Sequence, residues 1–174
     1  MPETETQNIN PPDIVLGPPP EQMKEFHFLI GSWSARRKSY SPEGTLLADH
    51  PGRLTARYIN DGRMIFDDFT KFTEDGEVIS YATTVRTFCV ETNRWEMQFM
   101  FSLQHVHTQS FRGQFIDGEG HFDAIVSATP ENAIMAKVRF YDIQKDSFEW
   151  SISNTNDGGK TWLIEGRISA KRES

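Results

Sequence analysis

The chain has very little cysteine: Cys89 is the only one among its 174 residues. A single thiol excludes an intramolecular disulfide and a cysteine-based metal cluster, so we expect a reduced, cytoplasmic protein. No apolar run approaches the roughly eighteen residues that cross a bilayer. The first ten residues are polar and acidic, so we expect no secretory signal in them.

Positive charge is also scarce. Lysine and arginine number 18 against 25 aspartates and glutamates, which gives a net charge of −7 and a sequence pI near 5.2. Nucleic acids and anionic membranes require a basic face, so we expect neither as a partner. The sequence is silent on oligomeric state and compatible with a homodimer.

Helical patterning is confined to one short stretch. Residues 1–20 are rich in proline and predict a flexible tail, which leaves residues 21–174 as a single domain. Within 21–30, Met23, Phe26, His27 and Ile30 fall at i, i+3, i+4 and i+7, which predicts a helix with one mainly apolar face. Gly31 ends it. A histidine on such a face is most often a packed residue with a hydrogen-bond partner.

After Gly31 the pattern becomes one of short alternating segments separated by turn signals. Asp-Gly and Asn-Gly steps supply the positive φ angles that tight hairpins need. Between the turns lie segments rich in β-branched and aromatic residues. These predict ten strands, at roughly 32–40, 49–60, 62–72, 77–90, 93–104, 106–117, 120–129, 132–143, 146–154 and 161–171.

The strands alternate between apolar and polar positions, as in Trp95, Met97, Phe99 and Phe101. Strands of this kind, with no helices to cover them, must pack sheet on sheet or close into a barrel. Because nearly every connection is a short hairpin, the sequence favours an all-β, up-and-down antiparallel β-barrel whose one short N-terminal helix caps an end. A sandwich is the alternative.

A family resemblance supports the barrel. Residues 26–33 resemble the opening of calycin-superfamily (lipocalin-like) barrels, where a short helix leads into Gly-x-Trp, here Gly31 to Trp33. Further segments, at 58–69, 85–88 and 156–162, resemble uncharacterised bacterial calycin-like proteins. In lipocalins, this tryptophan packs under a basic residue from the last strand. The resemblance therefore implies a contact between Trp33 and Arg167, with Lys171 and Arg172 as alternatives.

Ten strands are also similar to the nitrobindin barrel, and that resemblance implies a haem-binding histidine near the C-terminus. No histidine follows His121, so we expect no haem and no other cofactor. His105 and His107 would share a strand face, as zinc ligands often do. A third ligand, His121 or Glu77, depends on an unknown strand register, and we expect no metal site.

The charges on apolar strands are the candidates for chemistry. An arginine turned into a barrel binds a carboxylate or enolate with two parallel hydrogen bonds. Asp67 and Asp68 are adjacent, so alternation sends only one of them inward. We expect Asp68 to pair with Arg86, and we take these two residues and His107 as the catalytic candidates. An ion pair of this kind can also be purely structural.

Aromatic side chains are common pocket walls. The leading hypothesis is therefore a barrel that binds a small, mainly hydrophobic molecule, with or without an anionic group. The first alternative is a cofactor-independent isomerase, cyclase or lyase on the same barrel, and the second is a filled barrel with a structural or partner-binding role. The predicted ligand-binding residues are Phe66, Trp95, Met97, Phe99, Phe101, Phe111, Tyr141 and Trp150.

Overall fold

The computed structural model describes residues 15–102, 106–129 and 132–174, and these form one closed antiparallel barrel. Among them, no helix is both long and apolar enough to cross a bilayer. A 3₁₀ helix (Glu21–Leu29) precedes ten strands. They are β1 (Gly31–Tyr40), β2 (Leu46–Ile59), β3 (Met64–Phe72), β4 (Val78–Cys89), β5 (Arg94–Ser102), β6 (Val106–Ile116), β7 (Glu119–Thr129), β8 (Asn132–Tyr141), β9 (Ser147–Thr155) and β10 (Leu163–Arg172).

Each strand pairs with the next along the chain, and β10 pairs with β1 to close the barrel. This topology confirms the predicted up-and-down barrel and excludes the alternative, a β-sandwich. The turns are those that the sequence indicates: Asn60 and Asp61 between β2 and β3 adopt φ near +50°, as a tight hairpin requires. Closure pairs every strand edge, so the described barrel has no open edge.

The N-terminal helix differs from the prediction in its period. It is a 3₁₀ helix with three residues per turn, so its buried positions recur every third residue, at Met23, Phe26 and Leu29. His27 is exposed, and its Nδ1 lies 3.4 Å from the Tyr58 hydroxyl oxygen. The expectation that His27 packs on the apolar face was wrong, because it assumed the 3.6-residue period of an α-helix.

The preferred contact between Trp33 and Arg167 is also wrong, and the alternative partner, Arg172, is confirmed. The register of the closing strands pairs Trp33 with Arg172, whereas Arg167 pairs with Lys38 and lies 5.9 Å from the Tyr40 ring centre. The Arg172 guanidinium stacks 4.1 Å from the Trp33 ring centre. It also donates 2.8 Å hydrogen bonds to the carbonyls of Ile30 and Phe28, which joins the end of the chain to the helix.

Gly31 is required at this junction. Its φ of +123° is disfavoured for other residues, and a Cβ there would lie 2.7 Å from the Arg172 Nη1. Trp33 is fully buried beneath the helix and donates a hydrogen bond from Nε1 to the Leu29 carbonyl, at 2.8 Å. The Gly-x-Trp segment therefore seals the barrel end that the helix covers.

The proline-rich segment is only partly described, since residues 1–14 lie outside the described residues. Val15 to Pro19 are exposed. The Arg63 guanidinium donates a hydrogen bond to the Gly17 carbonyl, so this part of the predicted tail contacts the β2–β3 hairpin. The division into a tail and a barrel domain at residue 20 stays a prediction.

Candidate ligand-binding cavity

The barrel contains a partly open cavity of about 270 Å³ above the helix-covered end. Leu29 of the helix reaches its base, and side chains from most of the strands form its wall. Among the described lining residues, fourteen are apolar, seven of these are aromatic, and nine are polar or charged. A mainly apolar pocket with a few polar groups is the usual form of a small-molecule site, and this volume falls just below the common range of roughly 300–1,000 Å³.

Five of the predicted ligand-binding residues lie in this wall: Met97, Phe99, Phe101, Phe111 and Trp150. Each occupies the inward position of an alternating strand. Strand alternation was therefore the signal that located the aromatic wall.

Three other predicted residues lie elsewhere. Trp95 is on the inward face, but it is fully buried against Phe26, with ring centres 4.7 Å apart, and its Nε1 donates a hydrogen bond to Glu25 at 2.8 Å. Phe66 and Tyr141 each sit next to an inward residue in the chain, so alternation turns them away from the cavity wall. The Arg57 guanidinium covers the Phe66 ring at 4.5 Å.

Arg86 does point into the barrel, but its partner is Asp67 rather than Asp68. The Arg86 Nη2 donates a hydrogen bond to Asp67, and both side chains are buried. Asp68 lies outside the cavity wall and accepts a 2.7 Å hydrogen bond from the Thr83 hydroxyl. The error came from choosing the wrong one of two adjacent aspartates, because the sequence alone does not show which alternate positions of this strand face inward.

Burial dominates the electrostatics of this pair. It raises the pKa of Asp67 to about 6, although the charge of Arg86 and a hydrogen bond from Thr84 oppose the rise. Burial also lowers the pKa of Arg86. The Arg86 guanidinium stacks on Phe26 at 4.5 Å, and its Nε and Nη1 have no hydrogen-bond partner among the described residues.

Two further cations, Arg37 and Lys71, lie in the cavity wall near the strand ends farthest from the helix. The sequence reasoning missed both. Arg37 follows Trp33 and Ala35 at intervals of two on β1, and Lys71 follows Asp67 and Phe69 in the same way on β3. Extending the alternation along β1 would have found Arg37, whereas finding Lys71 also required knowing that Asp67, and not Asp68, faces inward on β3.

The histidines do not assemble into a site in the described part of the chain. His105 lies outside the described residues, and for His107 only the backbone, in β6, is described. His121 Nε2 lies 3.7 Å from a Glu119 oxygen. Within the described ranges, no group of three or more metal-ligating side chains occurs. The catalytic role predicted for His107 stays untested.

Comparison with known proteins gives similarity of fold. No family model matches the chain, and no curated protein matches it. Among solved structures, Rv2717c from M. tuberculosis matches with a TM-score of 0.64 and 13% identity, over 90% of this chain and 99% of that one. The S-type phycobiliprotein lyase CPES from Guillardia theta matches with a TM-score of 0.56 and 15% identity, over the same shares. The barrel and these neighbours fit the calycin-like fold that the sequence resemblance implies.

Proposed function

We propose that the barrel binds a small, mainly hydrophobic molecule in its cavity. The observation that carries the proposal is the internal volume of about 270 Å³, whose wall is mainly apolar and includes seven aromatic side chains. A volume at the lower edge of the usual range favours a ligand smaller than a typical drug molecule. We also propose that the chain is related to the bacterial calycin-like proteins that its sequence segments resemble.

The two alternatives are less well supported by the geometry. A filled barrel would hold side chains where this one holds open volume. An enzyme that moves a proton needs an acid or base facing its substrate. The carboxylate predicted for that role, Asp68, lies outside the cavity wall, and Asp67, which takes its place, is paired with Arg86. The likeness to a phycobiliprotein lyase supports the fold, and at 15% identity it transfers no reaction.

The test uses the neutral fluorescent probe N-phenyl-1-naphthylamine, whose emission rises in apolar surroundings. We expect saturable binding to the wild-type protein. Ser39→Phe places a ring in the cavity wall and should abolish that binding, because Ser39 faces the cavity. Ser34→Phe is the matched control, because Ser34 is exposed on the same strand; it should bind like the wild type.

Thermal unfolding of both variants verifies that they fold. If the wild-type protein does not bind the probe saturably, or if a folded Ser39→Phe variant binds it as tightly as the wild type, the proposed function is wrong.

A further inference from the structure

The cavity wall carries two cations without an acidic partner in direct contact. Lys71 forms no ion pair or hydrogen bond among the described residues, and Arg37 donates a hydrogen bond only to the backbone carbonyl of Lys38. The third cation in the described cavity wall, Arg86, is paired with Asp67. Arg37 and Lys71 are therefore the part of the wall where positive charge is not neutralised by contact.

The barrel makes specific room for one of these cations. Gly166 on β10 faces inward, and a Cβ at that position would overlap the guanidinium of Arg37. On another side, the guanidinium lies 5.5 Å from the ring centre of Trp150. The missing side chain and the aromatic neighbour hold Arg37 within the wall rather than in solvent.

The two cations also repel each other. Burial lowers the pKa of Lys71, and the charge of Arg37 lowers it further. Glu165 is the acid in the same part of the wall, and its charge acts on Arg37. Its carboxylate is exposed and accepts a hydrogen bond from Asn154. One acid against two cations leaves net positive charge at this end of the cavity.

We propose that Arg37 and Lys71 bind the anionic oxygen group of the ligand, so that the cavity selects hydrophobic acids over neutral molecules of the same shape. This inference rests on the proposed function. The carboxylate or sulfonate lies between the two cations, where each can donate charge-assisted hydrogen bonds. The apolar part of the ligand extends towards Met97 and Phe111.

The deeper ion pair does not compete for this role. The charge of Asp67 balances that of Arg86, and the Arg86 guanidinium is packed against Phe26, although its Nε and Nη1 have no partner among the described residues. An anion beside them would have to face the carboxylate of Asp67. The acidic group of the ligand is therefore oriented away from the helix-covered end.

The test compares two probes with one aromatic skeleton. The sulfonate 8-anilino-1-naphthalenesulfonate and the neutral N-phenyl-1-naphthylamine differ by the anionic group alone. We expect the wild-type protein to prefer the sulfonate by about tenfold or more, the usual effect of hydrogen bonds to a charged group. Arg37→Met and Lys71→Met should each bring the ratio of the two dissociation constants towards one. Lys171→Met removes an exposed cation from the outer face of β10 and should leave the ratio unchanged.

The outcomes separate this inference from the proposed function. If the neutral probe binds and the sulfonate has no advantage, or if Lys171→Met lowers the ratio as much as the cavity variants do, the anion site is refuted and the hydrophobic site stands. If neither probe binds, both are refuted. Because Arg37→Met and Lys71→Met are on different strands, misfolding of one variant leaves the other to decide.

Discussion

Asp67 and Arg86 form an ion pair that is shielded from water by the aromatic side chains around it. Their side chains are 6% and 3% exposed, so the pair gives up nearly all of its hydration. The desolvation cost of a buried pair can equal its attraction, whereas removal of one partner costs about 3–5 kcal/mol. We interpret the pair as structural, with its charges balanced inside the cavity wall.

The raised pKa of Asp67 predicts how stability depends on pH. The folded-state value is about 6 and the ordinary value is 3.8. Between about pH 4 and pH 6 the folded protein therefore holds a proton that the unfolded chain releases, so the stability from this group is full below that window and falls as pH rises through it.

Urea denaturation from pH 4 to pH 7 measures this dependence in the wild type and in Asp67→Asn. As pH rises over this range, the wild type should lose about 2 kcal/mol relative to the variant. Parallel curves for the two proteins would contradict the assignment.

At the scale of elements, the 3₁₀ helix and the last strand are fastened to each other. The guanidinium of Arg172, near the end of β10, contacts the Trp33 ring and the carbonyls of Phe28 and Ile30 at the end of the helix. These contacts hold the helix over the end of the barrel. The helix in turn places Phe26 and Leu29 beneath the cavity.

Arg172→Met should therefore destabilise the fold by roughly 2–3 kcal/mol, because it removes the two hydrogen bonds to the helix end, a third to the Lys145 carbonyl and a cation–π contact. Arg167→Met is the matched control on the same strand. Arg167 is exposed, and its loss should cost less than about 0.5 kcal/mol. Equal losses in urea denaturation, or a larger loss for Arg167→Met, would show that Arg172 does not fasten the helix.

The sequence predicts these elements better than it predicts their contacts. The ten strands follow from alternation, and their turns follow from turn residues such as the Asp-Gly steps at 61–62, 75–76, 117–118 and 157–158, which are local signals. Which basic residue meets Trp33 depends on the register between β1 and β10, which lie at opposite ends of the chain. The helix period and the choice between Asp67 and Asp68 likewise depend on packing that no local pattern contains.

At the scale of the whole molecule, the cavity exists because the helix fills only one end of the barrel. Phe26, Trp95 and Phe122 pack tightly beneath the helix. Farther from it, the wall residues leave open volume, with the polar groups of Arg37 and Lys71 at one end. This gradient from a filled base to a partly charged open region is what a binding barrel requires and a purely structural barrel does not.

The most direct test of ligand binding is to locate a ligand by NMR. Met97 lies in the cavity wall, whereas Met100, on the same strand, points out of it. With methyl-labelled methionine and bound N-phenyl-1-naphthylamine, we predict nuclear Overhauser effects from the probe to the Met97 methyl group and none to that of Met100. Contacts to Met100 without contacts to Met97 would contradict binding inside the barrel.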